Sequence, residues 1–517
     1  MFNAQIIYND TMVIDNAFIE RPGTLRSGEC PGAVRREGRQ GPREHLAYHS
    51  RVHPLLIMLL GMSVVIAGIL WLRLHAFLAL LLGAFLVAFL TPPEAVERQA
   101  LSRNQSPTAA RAAANAPPGQ RVVEGFGRTA GQIGVMVGMA SIIGSAMLHT
   151  GAAERIVRSL LALTGQARAS LSFLASGFLL GIPVFFDTVF YLLVPLAKAM
   201  RLRTGGDYLL YVLAIVTGAT MTHSLVPPTP GPLFVANALG VTVGSMIVAG
   251  TAVGAVAATF GYTWAHIANR RWPLPLRTTP EAAVQLEAIS AQDTRELPSL
   301  GLSLAPILIP VVLITLNTGY LARADAGGWW KAARWLTEQN VVLILAAALS
   351  LLMLWRRQGP RMSEAVDESI TSAGSIILIT AAGGAFGGAL QQSGIGPWME
   401  GTVTAYALPV LPLAWALTVV MRTALGSATV AMITAAGALG TLASADVLGF
   451  HPVWLAVAIG CGSKPIWWMN DSGFWVISKM GGLSEQEALR VLTPMSVING
   501  TTGLIATMVG AWLFPLT

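Results

Sequence analysis

Long apolar segments separated by short polar ones fill almost all of the chain after residue 53. Most of these runs approach or exceed twenty residues, the length that an α-helix needs to cross the hydrocarbon core of a bilayer. We predict helices in the apolar runs at about 54–72, 76–92, 126–148, 170–197, 208–225, 233–266, 300–318, 339–355, 371–392, 405–421, 424–443, 452–469 and 491–515. The pattern therefore predicts an all-α polytopic membrane protein.

The polar segments divide this apolar chain. Residues 1–53 are polar, dotted with arginine and rich in glycine and proline, which predicts a disordered N-terminal tail. The longest later polar stretch, 268–298, predicts a linker between a first transmembrane repeat, 54–267, and a second, 299–517. The alanine- and proline-rich residues 93–122 predict a further linker inside the first repeat.

The two halves echo each other at a shift of 243 residues. At this shift three of the five glycines of 129–151, Gly131, Gly144 and Gly151, fall on glycines of 372–394, and two further interrupted segments come into register. Repeats with interrupted apolar segments at matching positions indicate a secondary transporter whose site lies near the bilayer midplane. The residues alone leave open whether the repeats are parallel or inverted.

Four apolar runs contain residues that disrupt a helix in lipid: Pro183 and Asp187 in 179–195, the proline cluster of 222–232, the Gly-Ser pair in 421–437, and the Asn-Asp-Ser-Gly knot in 460–475. Proline and turn residues free backbone groups, which lipid cannot satisfy. We therefore predict broken helices or re-entrant hairpins that face a cavity at the midplane.

Two carboxylates in these breaks are candidates for carrying a coupled proton, Asp187 and Asp471. A carboxylate at the bilayer centre costs roughly 2.5–3.5 kcal/mol, so it is retained for a function or for a partner. The alternatives are that Asp187 only pairs with another helix and that Asp471 belongs to an ordinary surface loop. Lys464 lies seven residues before Asp471 in the same segment.

The remaining polar residues of the breaks are candidates for binding a small anion with hydroxyl groups. N–H groups and hydroxyls at a helix start can hold a carboxylate, as predicted for Gly426, Ser427 and Thr429. Arg422 is expected to pair with that carboxylate or, in the alternative, with Asp187 or Asp471. Substrate hydroxyls would meet Thr188, Thr222, Asn470 and Ser472, whereas His223 either takes part in binding or is a structural donor.

Composition narrows the function further. The chain is 54% hydrophobic and 11% charged, and its formal charge of +7 is expected in basic cytoplasmic loops, so no nucleic-acid partner is predicted. No phosphate loop, metal-spaced Cys/His set or nucleophile elbow occurs, so neither a cofactor nor a metal is predicted. Trp467, Trp468 and Trp475 are expected at the membrane interfaces.

Four motifs in this order and spacing resemble the gluconate permease family, the gluconate–proton symporters of the ion transporter superfamily: FFDTVFYLLVP at 185–195, THSLVPPTPGP at 222–232, ALGSATVAMITAAG at 424–437 and NDSGFW at 470–475. The resemblance covers residues 54 to 517. It implies a multi-pass carrier of the bacterial inner membrane, with inverted repeats and hairpin-like segments, that imports gluconate or a related sugar acid with protons.

The chain departs from the family pattern at Asp187, at Thr229 and at Trp468-Met469, so galactonate, glycerate, other hydroxy acids and serine stay open as substrates. The function alternatives are a sodium-coupled carboxylate carrier, an intramembrane enzyme and a channel. A secondary transporter is preferred because no enzymatic signature is present. Its partners would be the organic anion, protons and the lipid bilayer, and a homo-oligomer is left open.

Overall fold

The computed structural model describes residues 53–102, 105–277, 296–319, 329–406, 409–440, 442–444, 448–469 and 471–516. All regular structure in these ranges is helical. The tail predicted at 1–53 and most of the linker predicted at 268–298 lie outside the described residues, so these two assignments stay predictions.

Eleven α-helices precede the central gap, and ten follow it within the described residues. The first eleven are α1 (Pro54–Leu70), α2 (Ala76–Leu90), α3 (Pro93–Ser102), α4 (Pro107–Asn115), α5 (Pro118–His149), α6 (Ala152–Thr164), α7 (Ala169–Leu180), α8 (Phe186–Thr204), α9 (Tyr208–Leu225), α10 (Pro230–Ala238) and α11 (Val243–Arg271). The last ten are α12 (Leu300–Gly319), α13 (Trp329–Leu336), α14 (Gln339–Gln358), α15 (Met362–Gln392), α16 (Ile395–Tyr406), α17 (Val410–Leu425), α18 (Ala428–Leu439), α19 (Pro452–Gly462), α20 (Ser472–Gly481) and α21 (Glu485–Leu513).

Seven of the described helical spans are long and apolar enough to cross a membrane, and an eighth results if α2 and α3, bent by 100°, count as one. One of the seven is the span 208–238, which combines α9 and α10. Of the 18 consecutive residues that are most apolar in this span, 94% are buried, whereas the corresponding share in α12 is 28%. The α9–α10 span therefore lies in the protein interior, where irregular backbone is shielded from lipid.

The chain breaks at all four predicted places. The helices stop between α7 and α8 at 181–185, between α9 and α10 at 226–229, between α17 and α18 at 426–427, and between α19 and α20 at 463–471. Gly426 has φ 72°, the left-handed conformation that glycine adopts without a steric penalty. Local backbone chemistry was thus enough to locate the interruptions.

The linker predicted at 93–122 is wrong, because this segment folds into α3, α4 and the start of α5. Pro93, Pro107 and Pro118 each occupy the first position of a helix, where the missing N–H is harmless and the fixed φ is already helical. Alanine, abundant here, is the best helix former. The prolines that suggested a linker therefore mark helix starts.

Helices that correspond at the shift of 243 residues pack antiparallel. Along α5 and α15, Ser141 Oγ donates to the Ser369 carbonyl at 2.9 Å, whereas Gly125, earlier in α5, lies against Ala385, later in α15. Likewise Trp264 Nε1 of α11 donates to the Val491 carbonyl of α21 at 3.0 Å. Gly503, later in α21, lies beside Ala257, earlier in α11. Inverted repeats would place these two pairs of helices antiparallel, and the repeats themselves stay a prediction.

Close helix approach depends on only some of the glycines. A Cβ at Gly387 would lie 2.7 Å from the Gly437 Cα, so α15 and α18 nearly touch backbone to backbone. Gly383, four residues earlier, lies against Ile433, whereas Gly134 and Gly138 have no such neighbour within 4 Å. The GxxxG spacing thus brings two helices close together at 383/387 but, among the described residues, not at 134/138.

Replacing Gly387 with alanine is expected to destabilise the protein by about 1–3 kcal/mol, because the new methyl group forces α15 away from α18. The measurement is the unfolding temperature of the purified protein in detergent. Gly388→Ala is the matched control, since a Cβ at this adjacent position meets no heavy atom within 4 Å. An equal loss of stability in both variants would contradict the close-contact explanation.

Candidate functional site

Four breaks in the helices bring five ionisable side chains together, and we name Asp187, His223, Arg422, Lys464 and Asp471 the charge cluster. Asp187 is in the first turn of α8, His223 in the last turn of α9, and Arg422 in the last turn of α17. Lys464 and Asp471 belong to the loop between α19 and α20. Charges so grouped among apolar helices indicate a functional site.

Arg422 and Asp471 form the centre of the cluster as a buried ion pair. Arg422 is 4% exposed, and its two terminal nitrogens donate to Asp471 Oδ2 and to the Gly426 carbonyl. Asp471 also begins α20: its Oδ1 accepts from the N–H groups of Gly473 at 2.5 Å and Phe474 at 3.3 Å. The ion pair therefore joins the end of α17 to the start of α20. Of the partners considered for Arg422, the substrate carboxylate, Asp187 and Asp471, the structure shows Asp471.

Lys464 is the second buried cation. Its side chain follows α19, is 9% exposed, and donates from Nζ to the Thr220 carbonyl at 3.0 Å. Its charge interacts with those of Arg422 and Asp471. Among the residues that the structure describes, Lys464 has no carboxylate within 4.0 Å.

Asp187 and His223 form the other side of the cluster, and both are half-buried. The Asp187 carboxyl is close enough to Asp471 for their charges to interact, but it has no hydrogen-bond partner within the described ranges. His223 interacts with the charge of Lys464, and its buried Nδ1 is without a partner in those ranges. Asp187 is thus the carboxyl group that stays available.

Aromatic rings close the cluster on one side. The Trp467 ring lies 6.0 Å from the Arg422 guanidinium and 5.7 Å from the Phe186 ring. Phe185 contacts the His223 ring edge to face at 6.3 Å. Rings in these positions lower the local dielectric and strengthen each charge interaction.

The structure places the predicted hydroxyl and turn residues unequally. Thr188, half-buried in α8, and Thr429, half-buried in α18, have hydroxyls without partners in the described part of the chain. Thr222 is buried and donates to the Gly218 and Ala219 carbonyls of its own helix, each at 3.3 Å. Thr188 and Thr429 are therefore the hydroxyls that remain free for a ligand.

The other predicted residues shape the helix starts. Gly426 ends α17, and Ser427 caps α18 by accepting from the Val430 N–H at 3.4 Å. Ser472 is exposed at the first position of α20. Asn470 lies outside the described residues, so its contact with substrate stays a prediction.

Three residues of the site were missed by sequence reasoning: Thr220, Lys464 and Trp467. Lys464 gave a signal, a lysine inside an apolar run, but no role was assigned to it. Trp467 was expected at a membrane interface, yet it is 8% exposed and packs against Arg422. Thr220 contributes only a backbone carbonyl, which no side-chain pattern reveals.

Unsatisfied donors show what kind of ligand the site can take. Arg422 Nε and Trp467 Nε1 are buried without a hydrogen-bond partner among the described residues. Both groups only donate, so they require acceptors such as carboxylate or hydroxyl oxygens. No group of three or more His, Cys, Asp or Glu side chains within the described ranges is arranged for a metal ion.

The family of this chain follows from a match to a family model. Residues 118–513 match the model of the GntP family permeases. The chain belongs to the GntP permease family. A gluconate permease of Pseudomonas aeruginosa is 32% identical over 388 residues, covering 74% of this chain and 85% of that protein. The D-serine transporter of Escherichia coli is 28% identical, covering 89% of this chain and 98% of that protein.

A solved structure supports the architecture. The crystal structure of the YdaH transporter of Alcanivorax borkumensis, described as having an unusual topology, has a TM-score of 0.54 to this chain at 15% identity. It covers 76% of this chain and 88% of the transporter. The GntP family protein is therefore a helical multi-pass membrane permease, and its relatives are named permeases or transporters rather than enzymes.

Proposed function

We propose that this protein is a secondary active transporter that imports gluconate or a related hydroxy-acid anion together with protons across the bacterial inner membrane. The observation that carries the proposal is the charge cluster. It contains two cations, one carboxylate that is paired with Arg422 (Asp471) and one without a hydrogen-bond partner among the described residues (Asp187). The name of the Pseudomonas aeruginosa relative, a gluconate permease, supports the class of substrate.

The charge balance of the cluster explains why a proton would accompany the anion. Arg422 and Lys464 carry two positive charges, and ionised Asp187 and Asp471 carry two negative charges. The empty cluster is neutral when His223 is neutral. A bound monocarboxylate makes the cluster negative, and a proton on Asp187 restores neutrality. Because an uncompensated charge in an apolar interior is expensive, anion and proton would cross together.

Asp187 suits the proton better than Asp471 does. Asp471 accepts hydrogen bonds from Arg422, Gly473 and Phe474, and all of these favour the ionised carboxylate. Asp187 has no hydrogen-bond partner in the described ranges and can change its charge without breaking a helix cap or an ion pair.

The N-termini of the broken helices supply neutral contacts for the hydroxyl-bearing part of the substrate. The start of α10 lies against the start of α18, where Gly231 contacts Met432 and faces Thr429. The start of α20 lies against the start of α8, where Gly473 is near Phe186. The N–H groups at these starts that the Asp471 and Ser427 caps leave unbonded, together with the hydroxyls of Thr188 and Thr429, would bind substrate oxygens.

The test is uptake of radiolabelled gluconate into proteoliposomes without sodium, at zero membrane potential, with an inward proton gradient. One proton per anion predicts about tenfold accumulation for each pH unit. A membrane potential of 100 mV, negative inside, should add nothing, because the pair moves no net charge. With two protons per anion, the same potential would instead raise the accumulation of gluconate by a further factor of roughly forty.

One result would contradict the proposed driving ion, and another would exclude gluconate as the substrate. Uptake that requires sodium and ignores the pH gradient would replace the proton by sodium as the driving ion. The absence of gluconate uptake by folded protein would exclude gluconate. The same assay with galactonate, glycerate and D-serine would then identify the class of substrate.

A further inference from the structure

Lys464 is a buried cation with no carboxylate within 4.0 Å among the described residues. Its Nζ can donate three hydrogen bonds, and one of these reaches the Thr220 carbonyl. Arg422, by contrast, is neutralised by Asp471. The lysine charge is therefore the one that an incoming anion would compensate most.

A small polar cavity lies beside this lysine. It has a volume of about 10 Å³, close to the smallest space that holds one water molecule. Its walls include Lys464, Arg422, Trp467, Thr220, Ser496 and Asn499. A carboxylate is larger than one water molecule, so binding would require the flexible lysine side chain to move.

The donors around the cavity match a carboxylate. Arg422 and Trp467, two of its wall residues, each have a buried N–H group without a partner in the described part of the chain. Arg422 is 4% and Trp467 8% exposed, so water does not easily satisfy these groups. Together with the lysine ammonium they give three donors for two carboxylate oxygens.

The fold itself does not require a cation at this position. The residue 243 positions earlier is Met221, which lies in α9 just ahead of the corresponding break in the first half and is fully buried. The single hydrogen bond from Lys464 to a backbone carbonyl could also be made by a neutral amide. The positive charge therefore calls for a ligand rather than for a structural partner.

We propose that Lys464 is the counter-ion of the substrate's carboxylate, which binds in the cavity beside Trp467, and that this lysine makes the transporter select acids over uncharged polyols. The inference rests on the proposed function, in which the substrate is a sugar acid. Lys464 would thus be the specificity-determining residue, and the hydroxyl groups of the substrate would extend from it toward Asp187.

The test compares two ligands that differ only at the carboxylate: gluconate and its uncharged amide, gluconamide, in which NH2 replaces one oxygen. Their dissociation constants are measured by calorimetry on the purified full chain, because Lys464 variants also change the charge balance of the transport cycle. The variants are Lys464→Met and, as a matched control, Lys479→Met, which changes an exposed lysine of α20. Lys464→Gln keeps the hydrogen bond to Thr220 and serves if Lys464→Met does not fold.

The wild type and Lys479→Met should prefer gluconate, whereas Lys464→Met should lose at least about thirtyfold in gluconate affinity and keep its gluconamide affinity. An unchanged preference in a folded Lys464 variant overturns this inference alone and leaves the proposed substrate intact. If the wild type binds neither compound, both the proposed substrate and the inference that rests on it are overturned.

Discussion

The Asp187→Asn variant is expected to keep exchanging gluconate across the membrane but to lose the accumulation of gluconate that a pH gradient drives. Asparagine resembles protonated aspartate in size and charge, so the cluster with bound substrate remains neutral and can cross. The empty cluster then carries one positive charge. A charge at membrane depth costs roughly 2.5–3.5 kcal/mol, so the return step should slow on the order of a hundredfold.

Two assays on the same proteoliposomes separate these steps. Counterflow of labelled against unlabelled gluconate should continue in Asp187→Asn, whereas net uptake driven by a pH gradient should disappear. Asp367→Asn, which alters an exposed carboxylate of α15, should behave as the wild type in both. Normal accumulation by Asp187→Asn would exclude Asp187 as the proton carrier and direct the search to Asp471.

Arg422→Gln is expected to cause the largest loss of stability. The variant leaves the Asp471 carboxylate buried and unpaired, and breaking a buried ion pair on one side costs about 3–5 kcal/mol. The carbonyl of Gly426 loses its donor as well. The unfolding temperature in detergent measures the loss, and Arg270→Gln, at an exposed position of α11, is the control that should change it little.

A double variant distinguishes the ion pair from simple side-chain packing. Asp471→Asn removes the charge and keeps a residue that caps helices well. Arg422→Gln combined with Asp471→Asn should therefore be more stable than Arg422→Gln alone, by about 0.5–3 kcal/mol. If the two losses simply add, the buried charge of Asp471 does not explain the effect.

The sequence was sufficient to locate the breaks because their causes are local. Pro183 and Pro227 cannot continue a helix, and the Gly426-Ser427 pair both ends one helix and starts another. The same local reasoning failed at 93–122, where polarity and proline were interpreted as a linker. Proline removes a backbone hydrogen bond inside a helix but suits the first position of one, and composition does not distinguish the two.

The partners of the charged residues were beyond the sequence because they depend on packing between distant segments. Arg422 had three candidate partners, and only the placement of α17 beside α20 selects Asp471. Lys464 meets the carbonyl of Thr220, which is 244 residues away in the chain. The Trp467 ring could equally have faced lipid, and its burial follows from the positions of Phe186 and Arg422.

The Arg422–Asp471 pair has a mechanical consequence, since it fastens only one of two similar parts. The positions 243 residues earlier are Leu179 and Pro228, which cannot form an ion pair. An ion pair thus joins two breaks of the second half, whereas the corresponding positions of the first half are held by packing alone. We therefore expect influx and efflux, each measured at saturating substrate, to differ in maximal rate.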